Sequence, residues 1–229
     1  MRKHQLSKAI TYNIVHSKRR GASGKNSNGG VAILYRENYE VDWHHEGIDF
    51  IAQAVWIGKR RWVFISFYVK HGTDRENKTF LKTLASKIKQ TCTPTDCLVL
   101  GGDANAHILS LAAKSNRRGQ LLEEFAVENG LTILNMTDRC EGRYTREKSA
   151  IDYFLMNSIA LSHVEKTTVD EDRLIAMSDH NLISLRCRAA RRTPQLTKRR
   201  VTKVQPQLAA QNAEKQLADR LDTMPRTCG

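Results

Sequence analysis

Three short segments carry the side chains that chemistry needs: Gly101-Gly102-Asp103-Ala104-Asn105-Ala106, Ile151-Asp152-Tyr153-Phe154-Leu155-Met156-Asn157 and Ser178-Asp179-His180-Asn181-Leu182-Ile183. In each, an Asp stands at the start or end of an apolar run, where a buried strand gives way to an exposed loop. Carboxylates, an amide and an imidazole delivered from separate strand ends to one place are the equipment of metal-assisted phosphodiester hydrolysis. Asp152, the one acid in an apolar strand, needs a hydrogen-bonded partner. His180 is the natural candidate, since a carboxylate that fixes its ring would let it donate to a phosphate oxygen. Asn105 offers a donor and an acceptor two residues beyond Asp103. Each residue also has a plainer reading: a turn-capping Asp103, an Asx-turn Asn105, a structural loop His180.

The elements that must position these groups alternate along the chain. Val31 to Tyr35, Ala52 to Ile57 and Trp62 to Val69 read as strands, the last two joined as a hairpin through Gly58-Lys59-Arg60-Arg61. Asp74 is placed to cap a helix whose Phe80, Leu81, Leu84, Ala85 and Ile88 recur at helical spacing. Cys97 to Leu100 is a buried strand. Gln120 to Asn129 is a second helix that stops at Gly130. Strands follow at Leu131 to Leu134, Ala150 to Met156 and Leu182 to Cys187. The fold class is α/β, with helices covering a mixed sheet.

The chain of 229 residues suits one domain with an appendage, and 37 Lys and Arg against 24 Asp and Glu give a formal charge of +13. Such a balance favours polyanionic partners, although a solvated basic surface alone would look the same. Five scattered cysteines with no CxxC pair argue for free thiols in a reducing compartment and against structural zinc. Nothing at the N-terminus resembles a signal peptide and no apolar run is long enough to span a bilayer, so the expectation is an intracellular protein without a membrane partner. After Cys187 the chain turns basic, with no acid until Glu214. Residues 188–229 are therefore expected to be a disordered tail or linker, or a polybasic arm on nucleic acid, and residues 1–187 the domain.

The order of the three acidic segments, with the Gly29-Gly30-Val31-Ala32-Ile33-Leu34 strand and the Ser178-Asp179-His180-Asn181-Leu182-Ile183 string, resembles the endonuclease/exonuclease/phosphatase superfamily. That superfamily includes DNase I, and the likeness is greatest to the endonuclease domain of non-LTR retrotransposon polyproteins. The resemblance covers roughly residues 12–187. It implies an α/β (α+β) fold, a DNase I-like two-sheet β-sandwich flanked by helices, acting on DNA and possibly RNA with Mg²⁺ or Mn²⁺, in the nucleus, beside a downstream reverse transcriptase domain. It casts Asp103 as the group that orients the attacking water, Asn105 and His180 as phosphate-binding, Asp152 as the carboxylate behind His180, and Asp179 as a metal ligand. Tyr68 matches a tyrosine near the phosphate, or is a core tyrosine; Arg143, Tyr144 and Arg146 match a DNA-contacting hairpin, or an ordinary turn with exposed arginines. The family's early metal-binding Glu has no counterpart, because no Asp or Glu precedes Glu37. The resemblance thus implies a chain missing its first strands, with a weakly held metal and impaired hydrolysis. The alternatives are another phosphoesterase of the same superfamily, or a catalytically inactive basic remnant that binds nucleic acid.

Overall fold

The computed structural model describes residues 12–20, 26–36, 39–112, 114–171 and 178–188. Its elements in chain order are β1 (Tyr12–Arg20), β2 (Asn26–Arg36), β3 (Glu40–Gly47), β4 (Phe50–Ile57), β5 (Arg60–Tyr68), α1 (Asp74–Thr91), β6 (Cys97–Asp103), α2 (Arg117–Glu128), β7 (Leu131–Ile133), β8 (Cys140–Glu141), β9 (Asp152–Asn157), α3 (Ser158–Leu161), β10 (Val164–Asp170) and β11 (Leu182–Cys187). Apart from Arg188, the tail expected at residues 188–229 lies outside the described residues.

A six-stranded sheet in the order β3-β4-β5-β6-β9-β7 forms the central layer. Its strands are mixed, because β5 and β6 are parallel and joined through α1, whereas the other neighbours are antiparallel. Side chains alternate across a strand, so each sheet face has its own apolar set. Ala52, Ala54, Val63, Ile65, Leu98 and Leu100 meet Leu81, Leu84 and Ile88 of α1 and Leu121, Leu122 and Phe125 of α2. On the opposite face, Val55, Trp62, Val99 and Met156 pack with Ala160 of α3, Val164 and Leu185. This second face is covered by two separate pieces, a two-stranded β1-β2 sheet and a three-stranded β11-β10-β8 sheet. Among the described residues the two long helices α1 and α2 cover one face of the central sheet, the short α3 packs on the other, and the outer sheet is split.

Most sequence-derived elements are present at shifted ends. The β4–β5 hairpin turns at Gly58, whose φ of +65° is the left-handed conformation that glycine adopts without strain. The cap of α1 is Thr73 rather than Asp74, because Thr73 and Glu76 satisfy each other's backbone N–H groups in a capping box. Helix α2 begins at Arg117, earlier than expected, since Asn116 accepts from the Gly119 N–H at 2.8 Å. Strands β3 and β10 were not apparent in the sequence: Val-Asp-Trp-His-His-Glu-Gly is an edge strand with a mostly exposed pattern, and Val-Glu-Lys-Thr-Thr-Val-Asp alternates without a large apolar residue.

Glycines 101 and 102 both lie within β6, where neighbouring strands press on them. A Cβ on Gly102 would lie 1.9 Å from the Phe67 carbonyl oxygen, and one on Gly101 2.7 Å from the Phe154 ring. Gly102→Ala is expected to force β5 and β6 apart and to lower the thermal denaturation midpoint by several degrees, on the scale of about 1–3 kcal/mol for an overpacked core. Gly130→Ala, where nothing lies within 4 Å of the added methyl, serves as the comparison for backbone strain alone.

Candidate active site

The central sheet brings three strand ends into line. In the β5–β6 register Tyr68 stands beside Asp103, and in the β6–β9 register Asp103 stands beside Asp152. Two carboxylates on adjacent antiparallel strands thus share one sheet end. His180 arrives from the loop before β11, and its Nδ1 lies 2.9 Å from Asp152 Oδ2. A carboxylate only accepts, so the Nδ1–H donates and the ring's Nε2 is left outside that bond, 3.9 Å from Asp179 Oδ1. One ligand atom each from Asp103, Asp152 and His180 lies within 4.8 Å of the others.

Buried polar groups hold this arrangement. Thr145 is fully buried, and its hydroxyl accepts from the N–H groups of Ile151 and Asp152, at 2.9 and 3.0 Å. Its carbonyl accepts from the Asn181 N–H at 2.6 Å, so one residue links the start of β9 to the His180 loop. Asn181 also donates its side-chain amide to the Tyr144 carbonyl. Asn135 bonds one edge of β9 at two points, donating to the Asp152 carbonyl and accepting from the Phe154 N–H. Tyr153, buried on the helix side, donates to the Ala106 and Ala150 carbonyls and so fastens the loop after β6 to the base of β9.

The expected residues divide by placement. Asp103, Asp152 and His180 converge, and Tyr68 lies next to Asp103 in the strand register. Asn105 is buried at φ +46°, with its N–H on Asp103 Oδ1 and its side-chain amide on the Val69 carbonyl at 2.9 Å. Its donors therefore shape the loop and hold Asp103. Asp179 is 61% exposed, paired with Arg146 Nη2 at 2.6 Å, and its Oδ1 lies 3.9 Å from His180 Nε2, at the edge of the converging group. The stretch from Arg143 to Arg146 enters a turn closed by pairing of Arg146 with Ser149. The Arg143 guanidinium donates to the carbonyls of Ser110 and Leu111, and Tyr144 donates its N–H to Glu171. Arg143 and Tyr144 serve this loop junction first.

Sequence reasoning missed Thr145, Asn135 and Asn181, whose roles depend on partners distant in sequence. It also missed His71, close enough for its charge to act on Asp103 and 3.1 Å from Arg118 Nη1. The signal was available in part, since Lys70-His71 directly follows the Tyr68 strand end.

With this geometry in view, comparison with known proteins is decisive. The sequence pattern of the endonuclease-reverse transcriptase family matches residues 62–184. The chain belongs to that family. Its fold is similar to the endonuclease domain of TRAS1, a telomere-specific non-LTR retrotransposon, at 20% identity over 77% of this chain and 80% of that one, with a TM-score of 0.63. It is also similar to the 3′-5′ exonuclease NExo from Neisseria meningitidis, at 19% identity over 77% and 79% of the two chains, TM-score 0.60. An endonuclease/exonuclease/phosphatase family protein from Leptotrichia buccalis aligns at 16% identity over 79% and 73%, TM-score 0.57. No curated protein matches the chain. The endonuclease-reverse transcriptase match spans every converging residue, from β5 through His180.

Burial pushes the Asp103 carboxyl above its ordinary range, and the neighbouring Asp152 charge adds to this; the Asn105 N–H, His180 and His71 pull the other way. A carboxyl raised on folding binds its proton more readily in the native state. Its contribution to stability is therefore fully present below the free-Asp range, about pH 4, and is lost as pH rises through the higher native value. Asp103→Asn removes that loss, so it is expected to raise the melting temperature at pH 7 and to have little effect near pH 3. Thermal melts of both proteins across that pH range check the sign. Thr145→Val should act oppositely, leaving two buried N–H groups without their acceptor at about 1–3 kcal/mol each.

Proposed function

We propose that the chain is a metal-dependent endonuclease that nicks DNA, as part of a retrotransposon-type polyprotein with a reverse transcriptase domain. Convergence of Asp103, Asp152 and His180 at one sheet end, within a family of nucleases and phosphoesterases, is the observation that carries this reading. The formal charge of +13 favours a polyanion over a small phosphoester. Action on chromosomal DNA would place the protein in the nucleus.

The donor set suits a hard divalent cation such as Mg²⁺ or Mn²⁺: two carboxylates side by side, with coordination to be completed by water and substrate oxygens. Asp103 and Asp152 would hold the ion, with Asp179 at the rim once it leaves Arg146. A bound cation there supplies Lewis-acid stabilisation of the phosphoryl oxygens. Asp103, kept by burial from being strongly acidic, is suited to orient a water for in-line attack and to accept its proton. His180, fixed by Asp152, presents Nε2 to a phosphoryl oxygen. Asn105 keeps Asp103 aimed. Arg146 would meet the DNA backbone at the rim, exchanging Asp179 for a phosphate; Arg143 and Tyr144 would hold the turn that presents it.

Supercoiled plasmid incubated with the chain and Mg²⁺ should be converted to the nicked form, and EDTA should stop the conversion. His180→Ala and Asp103→Asn should each lower the rate by about 10² or more, the scale of a lost acid–base group. Rates unchanged in both variants would sink the assignment. Hydrolysis of p-nitrophenyl phosphate without nicking would redirect it to a phosphomonoesterase, and DNA binding without hydrolysis to a nucleic-acid-binding remnant.

A further inference from the structure

The cleft between the two pieces of the outer sheet contains polar groups that lack partners. Gln53 is 1% exposed, and neither its Nε2 nor its Oε1 has a hydrogen-bond partner. It stands on the same face of β4 as Val55 and Ile57, and all three line a cleft of about 1100 Å³. Asn181, at the opposite wall, donates its Nδ2 to Tyr144 but leaves a buried Oδ1 without a donor. Buried amides almost always find partners, so two that face one cleft indicate an occupant.

The walls identify its chemistry. Strand β2 forms one wall and the start of β11 another. Among the described residues β2 pairs with β1 alone and β11 with β10 alone, so each presents an outer backbone edge. Apolar side chains stand along these edges, with Leu34 61% and Leu182 46% exposed, and Phe64 and Phe154 line the cleft. A nucleobase would meet the amides and the aromatic rings but leave both edges unpaired. An acyl chain would leave every polar group unpaired. An extended peptide meets all three demands: its backbone pairs with a strand edge, its alternate apolar side chains face the rings, and its N–H and C=O groups reach the amides.

We propose that the cleft between β2 and β11 is a docking site for an extended, uncharged peptide segment with apolar residues at alternate positions, which adds to the open edges and joins the two pieces of the outer sheet. Gln53 and Asn181 recognise its backbone or a polar side chain within it. Because Asp152 and His180 also line the cleft, the seated segment would form one wall of the catalytic group.

The probe is a fluorescein-labelled peptide of about eight residues, a typical strand length, alternating Val and Thr with acidic ends for solubility. Its control has proline at two positions and so lacks those N–H donors. By fluorescence anisotropy with the full chain, the alternating peptide should bind at least about tenfold more tightly than the control. Hydrogen exchange should slow at the amides of Ala32–Arg36 or Leu182–Cys187 when it binds. Gln53→Leu, which replaces the unpaired amide with an apolar side chain, should weaken peptide binding by about tenfold while leaving the free chain folded by circular dichroism. Equal binding of the two peptides, unchanged exchange at both edges, or displacement of the peptide by deoxyadenosine monophosphate would each overturn the proposal. A free chain that light scattering shows to be a dimer, with both edges already protected, would overturn it in favour of a second copy. None of these readouts involves hydrolysis, so their failure would leave the nuclease reading to its own assay.

Discussion

The site depends on one pairing, the antiparallel contact of β6 with β9 that sets Asp103 beside Asp152. Two like charges at neighbouring strand ends repel, and the structure meets that cost in several ways. Asp152 is hydrogen-bonded to His180, Asp103 receives the Asn105 N–H, and the raised proton affinity of Asp103 reduces the charge that must be held there. The register must also be exact in the literal sense of strand geometry, because a slip by one residue would send either carboxylate to the opposite face. The close approach of β5 at Gly102 and the paired hydrogen bonds of Asn135 along one edge of β9 prevent that slip.

Around that pairing the fold divides its labour unevenly. The helix-covered face of the sheet is continuous and apolar, and α1 and α2 carry the larger cluster of buried side chains. On the other face a smaller apolar cluster is covered by a split sheet, and Asp152 and His180 open toward the gap between its pieces. Of the described cysteines Cys97 is buried and Cys92, Cys140 and Cys187 are half-buried; burial raises their thiol pKa values, that of Cys187 to about 11, which keeps them protonated and poorly nucleophilic.

What the sequence disclosed follows from how local each signal was. Asp103, Asp152 and His180 sat in short segments whose order carried the family pattern, and their convergence needed only that pattern. The helices were legible through periodic Leu and Phe, and their ends missed by a few residues because capping by Thr73 and Asn116 depends on single side chains. Strand β3 was illegible because an edge strand needs no continuous apolar face. Thr145, Asn135 and Asn181 were illegible for a different reason: their partners lie across the fold, and a Thr or Asn in a polar stretch looks the same whether it is buried or exposed. The split of the outer sheet could not be read at all, since each of its strands looks ordinary alone.

The junction at Thr145 makes separate parts of the site share one fate. Its hydroxyl and carbonyl together hold the amides of Ile151, Asp152 and Asn181, so opening of this turn would release the base of β9 and the His180 loop in the same event. Local unfolding proceeds in such contiguous cooperative units, often well below the free energy of global unfolding. Warming would then displace Asp152 and His180 together, as a block, while the helix-backed half of the molecule remained folded.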